Sequence, residues 1–303
     1  MAASRKKNST VQHQVNAPPA GTTFVGGRPF AWGSRTFVMG VINTTPDSFS
    51  GDGTGADVAA AVRQGLRFQE EGADIVDVGG ESTRPPYVYA GSQPVSAQEE
   101  MDRVIPVVQA LKRVLDVPIS IDTYKASVAG EALKAGAAMI NDVWGFKRDP
   151  GMAALAARTG VPVVLMHNQE HTRYDGDVVT GVIRVLASLR DAALAAGVAK
   201  ENIVLDPGMG FGKTAQHNLE ILRRLPEFRT LGTPLLIGMS RKSTIGLVLD
   251  LPPSDRVEGT AATVALSIAG GADIVRVHDV KQMVRVARMS DAVVRGWNPP
   301  RKP

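Results

Sequence analysis

A chain of 303 residues, 44% apolar and 21% charged, has the makeup of a globular protein, which excludes disordered and fibrous classes. A formal charge of +4 is too small to argue for nucleic-acid binding, although it suits anionic small-molecule substrates. The absence of cysteine excludes disulfides, thiolate metal sites and thiol nucleophiles and fits a reducing cytoplasm; no apolar run reaches the roughly 18 residues of a membrane span.

Residues 1–21 carry a basic cluster, Arg5, Lys6 and Lys7, with no apolar stretch behind it. They read as a disordered tail rather than a secretory signal. A nucleic-acid-binding tail is the rival reading, and its binding would fall steeply with salt. Residues 22–35, centred on Gly26-Gly27, read as a β-hairpin that closes one end of the fold. From Phe37 onward a short apolar, β-branched run ends in a polar or glycine-rich cluster, and a helix-period stretch follows. The predicted strands are 37–42, 74–78, 118–121, 138–140, 162–166, 202–205, 234–237 and 273–277. The helical stretches include 57–71, 97–115, 125–135, 150–159, 178–196, 216–225, 256–269 and 280–295. Gly72, Gly136, Gly160, Gly197 and Gly271 each fall between a helix and the next strand, where a left-handed C-cap suits glycine. Eight units over about 260 residues predict a single (β/α)₈ TIM barrel across 22–297, with 298–303 as a second tail. A doubly wound open sheet would need fewer units or a linker, and no linker divides the chain.

In such a barrel the chemistry sits where strands end and βα loops begin. Those positions carry Asn43, Asp122, Asn141, Met166, Asp206, Lys242, Ser243, Arg276 and His278. Asp122, Asn141, Asp206 and Lys242 supply acceptors and donors for a flat heterocycle with amide-like edges. Arg276, His278 and Asn43, expected nearer the rim, suit a phosphate or diphosphate with Mg²⁺. Duller roles exist for each: Asp122 could cap the following helix, Asp206 could cap the turn through Pro207-Gly208, and His167 reads as structural. Eight coincidental caps at one end of eight strands are a poor explanation. Two nucleotide motifs fail: a P-loop ending in Gly212-Lys213-Thr214 would need glycine where Pro207 stands, and the dinucleotide fingerprint beginning at Gly208 would need it at Lys213.

Asn43-Thr44-Thr45-Pro46-Asp47-Ser48-Phe49-Ser50 is similar to the first signature of the dihydropteroate synthase family, and Asp77-Val78-Gly79-Gly80-Glu81-Ser82-Thr83-Arg84-Pro85 resembles its second. The order continues through Ser120-Ile121-Asp122-Thr123, Ile140-Asn141-Asp142, Leu165-Met166-His167, Asp206 to Thr214, Ser240-Arg241-Lys242-Ser243 and Arg276-Val277-His278-Asp279, so the resemblance spans about Phe37 to Trp297. It implies condensation of 6-hydroxymethyl-7,8-dihydropterin diphosphate with p-aminobenzoate in folate synthesis, by a sulfonamide-sensitive homodimer. By the same resemblance, Asp122, Asn141, Asp206 and Lys242 hold the pterin, with Met166 and Phe211 lining its pocket. Asn43 binds Mg²⁺ on the diphosphate, which Arg276 and His278 also contact, and Asp122, Asp206, Lys242 and Arg276 form the catalytic set. Phe49, Thr83, Arg84 and Pro85 come from two loops that close over p-aminobenzoate, whose carboxylate Ser243 receives.

Two departures stand out. The family places an acidic residue directly after Phe-Ser, where this chain has Gly51 and then Asp52. The second loop is longer, with Pro86-Tyr87-Val88-Tyr89-Ala90 where a single glycine is common. A pterin-dependent methyltransferase would share the barrel and the pterin pocket but needs no diphosphate site, so Asn43, Arg276 and His278 argue against it. A relative without turnover is favoured by Gly51 alone.

Overall fold

The computed structural model describes residues 21–45, 57–81 and 95–297. Both predicted tails beyond Gly21 and Trp297 lie outside them, as do Phe49, Gly51, Asp52, Thr83, Arg84, Pro85 and the long second loop. The chain begins with the expected hairpin, β1 (Thr22–Val25) paired antiparallel with β2 (Arg28–Ala31). Gly26 and Gly27 both have positive φ, 58° and 82°, the requirement of the tight turn whose twist matches a hairpin.

Eight parallel strands follow: β3 (Phe37–Asn43), β4 (Ile75–Gly79), β5 (Ile119–Asp122), β6 (Met139–Asp142), β7 (Val163–Met166), β8 (Ile203–Asp206), β9 (Leu236–Ile237) and β10 (Ile274–Val277). Their order in the sheet is β8-β7-β6-β5-β4-β3-β10-β9. A single parallel bridge between Leu205 and Leu235 joins the two ends, so the barrel is nearly closed. The helices outside it are α1 (Val58–Glu71), α2 (Ala97–Val114), α3 (Ala126–Ala135), α4 (Gly151–Thr159), α5 (Val178–Ala195), α6 (Ala215–Arg223), α7 (Ser243–Leu249), α8 (Val257–Ala269) and α9 (Val280–Val294). Asp57, Ser96, Asp177 and Thr214 start four of them by accepting a backbone N–H three residues on. All five glycines expected after helices have left-handed backbones, with φ from 66° at Gly160 to 119° at Gly136.

One helix departs from the sequence expectation. The short α7 lies in the loop after β9, which the sequence pattern leaves without structure. Its N-cap, Lys242, makes no side-chain capping bond, so the usual start signal is missing.

Alternation along the strands sorts residues to two faces. Val38, Ile42, Val76, Val78, Ile119, Ile121 and Ile140 belong to the core between barrel and helices. Gly40 faces the same way, and a Cβ there would lie 2.6 Å from the Phe68 ring of α1. Phe37, Met39, Ile75, Met139, Val164, Val204, Leu236 and Ile274 form a separate cluster inside the barrel, together with Val25 and Phe30 of the hairpin. Phe30 and Phe37 have ring centroids 4.6 Å apart, so the hairpin plugs the end where the strands begin.

Candidate active site

The plug residues predict where the polar interior begins. Two residues beyond Ile75, Met139, Val164, Val204 and Ile274 come Asp77, Asn141, Met166, Asp206 and Arg276, on the same inward face and one step nearer the strand ends. On β5 the same face carries Ser120 and Asp122. In the strand register Asn43 pairs with Gly79, Gly79 with Asp122, and Asp122 with Asn141. Gly79 contributes no side chain, and a Cβ there would stand 3.5 Å from that of Asp122. That leaves room above the Asp122 carboxylate.

Arg276 ties this interior together. Its Nε donates to Asp77 Oδ2 at 2.6 Å and its Nη2 to Asp122 Oδ2 at 2.7 Å. Asn141 Nδ2 donates to the same Asp77 oxygen at 2.9 Å. Asp122 Oδ1 is buried with no hydrogen-bond partner among the described residues. Burial pushes the Asp122 carboxyl up to about 7; Arg276 and Lys242 pull it down, while Asp77 and Glu100 push it up. Asp206 is likewise raised by burial, to about 6, against the Gly208 N–H and the charges of Lys242, Lys213 and Arg276. Burial also opposes the charge on Arg276, but Asp77 and Asp122 outweigh it and raise its value. Three acids and two bases thus feel one another in one cluster, a common property of functional sites.

The loops that carry the remaining groups are braced from behind. The Gly208 N–H donates to Asp206 Oδ1 at 2.7 Å. Only glycine fits there, because φ is +69° and a Cβ would lie 2.0 Å from the His167 carbonyl oxygen. Lys213 is buried and lies 2.9 Å from His167 Nδ1 and 2.9 Å from the Phe211 carbonyl. Burial, then the Lys213 charge, holds the His167 imidazole neutral, with its value lowered to about 2. The structural reading of His167 fits this geometry. Phe211 packs with Met166 and Val143 in a small apolar patch, and Lys242 Nζ stands 4.3 Å from the Phe211 ring centroid. His278 Nδ1 is 2.9 Å from Ser240 Oγ. Arg241, with a left-handed φ of 54°, is clamped by both oxygens of Asp279. At the opening of the second loop, Lys125 bridges Glu81 and the buried Glu100.

The structure therefore brings Asp122, Asn141, Asp206, Lys242 and Arg276 into one cluster, with Met166 and Phe211 as its apolar neighbours. Arg276 departs from its expected placement: it turns inward to two buried carboxylates instead of standing at the rim beside His278. In a low-dielectric interior those two partners outweigh solvent at the mouth. Ser243 is the first residue of α7, and Asn43 ends β3 on the inward face. Sequence reasoning passed over Asp77 as a member of an apolar strand; the period-2 alternation with Ile75 was the signal that could have found it. Nothing in the linear pattern pairs Lys213 with His167 or Lys125 with Glu100. Among the described residues no cluster of three or more His, Cys, Asp or Glu could hold a metal ion.

Residues 39–278 match the family described as pterin binding enzyme. The chain is 49% identical to a dihydropteroate synthase of Clostridium beijerinckii over 272 residues, covering 89% of this chain and 99% of that protein. A crystal structure of dihydropteroate synthase from Clostridium difficile with pteroic acid superposes with a TM-score of 0.82 at 50% identity, covering 87% of this chain and 98% of that one. The Xanthomonas albilineans dihydropteroate synthase with 4-aminobenzoic acid gives 0.83 at 43% identity, over 91% and 98%.

Proposed function

The chain belongs to the pterin-binding enzyme family, among the dihydropteroate synthases, and we propose that the polar half of its barrel interior is the seat of their reaction. That reaction joins 6-hydroxymethyl-7,8-dihydropterin diphosphate to p-aminobenzoate, giving 7,8-dihydropteroate and diphosphate. The observation that carries the site assignment is Asp122 Oδ1, a buried carboxylate oxygen without a partner among the described residues, beside Asn141, Arg276 and Gly79. A buried acceptor left unsatisfied is costly, and a ring N–H donor removes the cost.

In this reading Asp122 and Asp206 accept from the amino and ring N–H groups of the pterin, Asn141 reads a ring edge, and Lys242 donates to the ring carbonyl or nitrogen. Met166 and Phe211 cover its faces. The C–O bond to the diphosphate breaks with its electron pair leaving on oxygen. The electron-rich ring carries the positive charge, which the two carboxylates favour. The amine lone pair of p-aminobenzoate then forms the C–N bond and the nitrogen sheds a proton, so no protein nucleophile is needed. Arg276 and His278 stabilise the departing anion, and Arg276 exchanges part of its contact with Asp122 for it. Phe49, Thr83, Arg84 and Pro85 close over p-aminobenzoate and Ser243 receives its carboxylate, as the resemblance implies.

Mg²⁺ fits this donor set only as an ion carried on the substrate. Asn43 offers one hard amide oxygen, and Mg²⁺ commonly takes one or two protein ligands, with phosphate oxygens and waters filling the rest. When bound, it neutralises charge developing on the diphosphate. Association as a homodimer is supported by exposed apolar side chains on consecutive helices near the C-terminal end: Leu247 and Val248 on α7, Leu266 on α8, and Met289 and Val293 on α9. No helix of the described residues is long and apolar enough to cross a membrane, and a chain without cysteine suits the cytoplasm.

The test is to supply Mg²⁺, the pterin diphosphate and p-aminobenzoate and to follow diphosphate release together with aryl adduct formation. Turnover that needs Mg²⁺ is expected, with near-complete loss in Asp122→Ala. Full activity in that variant would show the site to lie elsewhere.

A further inference from the structure

The geometry points to Asp77 as a positioning residue that sets which atoms of Asn141 and Arg276 face the pterin, and hence which ring edge the cavity accepts. This rests on the pterin reading above and deepens it. Asp77 lies on the inward face of β4 with no exposed surface. One of its oxygens, Oδ2, receives both Asn141 Nδ2 from β6 and Arg276 Nε from β10, strands that flank β4 two places away on either side. A carboxylate in an ion pair only accepts hydrogen bonds. The Asn141 amide must therefore turn its NH₂ toward Asp77 and its carbonyl oxygen away from it. With the amide pinned this way, Asn141 meets the pterin as an acceptor and selects a ring N–H, not a ring carbonyl. The same oxygen fixes the guanidinium by its Nε edge, which leaves the Nη groups to face Asp122 and the substrate.

A second feature marks the arrangement as built for orientation. Asp77 Oδ1 and the hydroxyl of Ser120, its register partner on β5, are both buried with no hydrogen-bond partner among the described residues. A residue present only to satisfy its surroundings would not leave an oxygen orphaned while crowding two donors on the other.

Steady-state kinetics on the full chain tests this with two substitutions. Asp77→Asn is isosteric but uncharged, and its amide can present either an oxygen or an NH₂ to Asn141 and Arg276, so the single charged acceptor that pins them is replaced by a weaker, two-way one. Asp77→Glu keeps the charge and displaces it by one methylene. Both are expected to raise the KM for the pterin diphosphate by about 10-fold or more, the worth of one charge-assisted hydrogen bond. The KM for p-aminobenzoate should stay within about 2-fold in both, since only pterin contacts are reoriented. Wild-type parameters in Asp77→Glu alongside a defect in Asp77→Asn would reduce Asp77 to charge balance and overturn the proposal. An equal rise in both KM values, or none in either variant, would also overturn it. Absence of turnover in the wild-type enzyme would instead refute the pterin reading, so the two failures are distinct. Ser96→Ala, at the start of α2 and outside the barrel interior, serves as the control and is expected to leave both KM values unchanged.

Discussion

The two halves of the barrel interior stand on the same strands and obey opposite rules. Around the hairpin, Phe37, Met39, Ile75, Met139, Val164, Val204, Leu236 and Ile274 fill the space with apolar side chains and need nothing further. Nearer the strand ends, the polar Asp77, Asp122, Asn141 and Asp206 are buried as well and Arg276 is partly so, and among the described residues two of the carboxylate oxygens have no partner. The lower half contributes stability through close packing. In the proposed reading, the upper half gives some of that stability up to keep acceptors poised for the pterin. One fold thus separates an apolar layer from a polar one by a single step of the strand repeat.

The sharpest way to break that contrast is to remove charge from the upper half. Lys242→Ala is expected to lower kcat/KM for the pterin diphosphate by at least about 100-fold. Circular dichroism should show the fold intact, because the lysine lies over the Phe211 ring at the cavity and not in the plug. Wild-type activity in this variant would erase the distinction. The opposite change, Phe37→Ala, should cost about 3–5 kcal/mol in denaturant unfolding while kcat/KM per folded molecule stays within about 2-fold. A large kinetic effect there would mean that the plug takes part in the chemistry.

Acidity sharpens the comparison further. Burial raises the Asp122 carboxyl to about 7, so its ionised, accepting form gains population only as pH climbs through that value. The kcat/KM for the pterin diphosphate should rise over the same window. Stability should move the other way. A group bound more tightly to its proton in the folded state stabilises below the ordinary carboxylate range and loses that contribution as pH rises through its folded value. Asp122→Asn should therefore gain in Tm relative to the wild type as pH rises from about 4 to about 7, with no further gain above that, while losing activity. A Tm difference independent of pH would place the cost elsewhere. The smallest effect is expected far from both layers. Ser96→Ala removes the side-chain cap of α2 and should cost about 1 kcal/mol with no kinetic change.

Much of this was legible before folding, and the exceptions have particular causes. The strand-helix repeat, the Gly26-Gly27 turn and the glycines after helices are local signals, decided by backbone preference and nearest neighbours. Asp122, Asn141 and Asp206 could be found because strand ends in a barrel share one rim. The short helix α7 was missed because Ser-Thr-Ile-Gly-Leu-Val-Leu has neither a capping start nor a full amphipathic turn. Asp77 was passed over because Ile-Val-Asp-Val-Gly reads as an ordinary buried strand until its polar member is assigned a face. The loop residues Phe49, Thr83, Arg84 and Pro85 rest on resemblance alone.

By itself the sequence determined how many strand-helix units there are, which end carries the polar groups, and which residues cap and turn the chain. These follow from periods of two and 3.6 residues and from the conformational freedom of glycine. Only the tertiary structure decided that Arg276 bends inward, meeting Asp77 and Asp122 across 199 and 154 residues of chain, and that Lys213 is buried against His167. Those contacts exist because the barrel curls onto itself, and curvature brings together partners that no local repeat can pair.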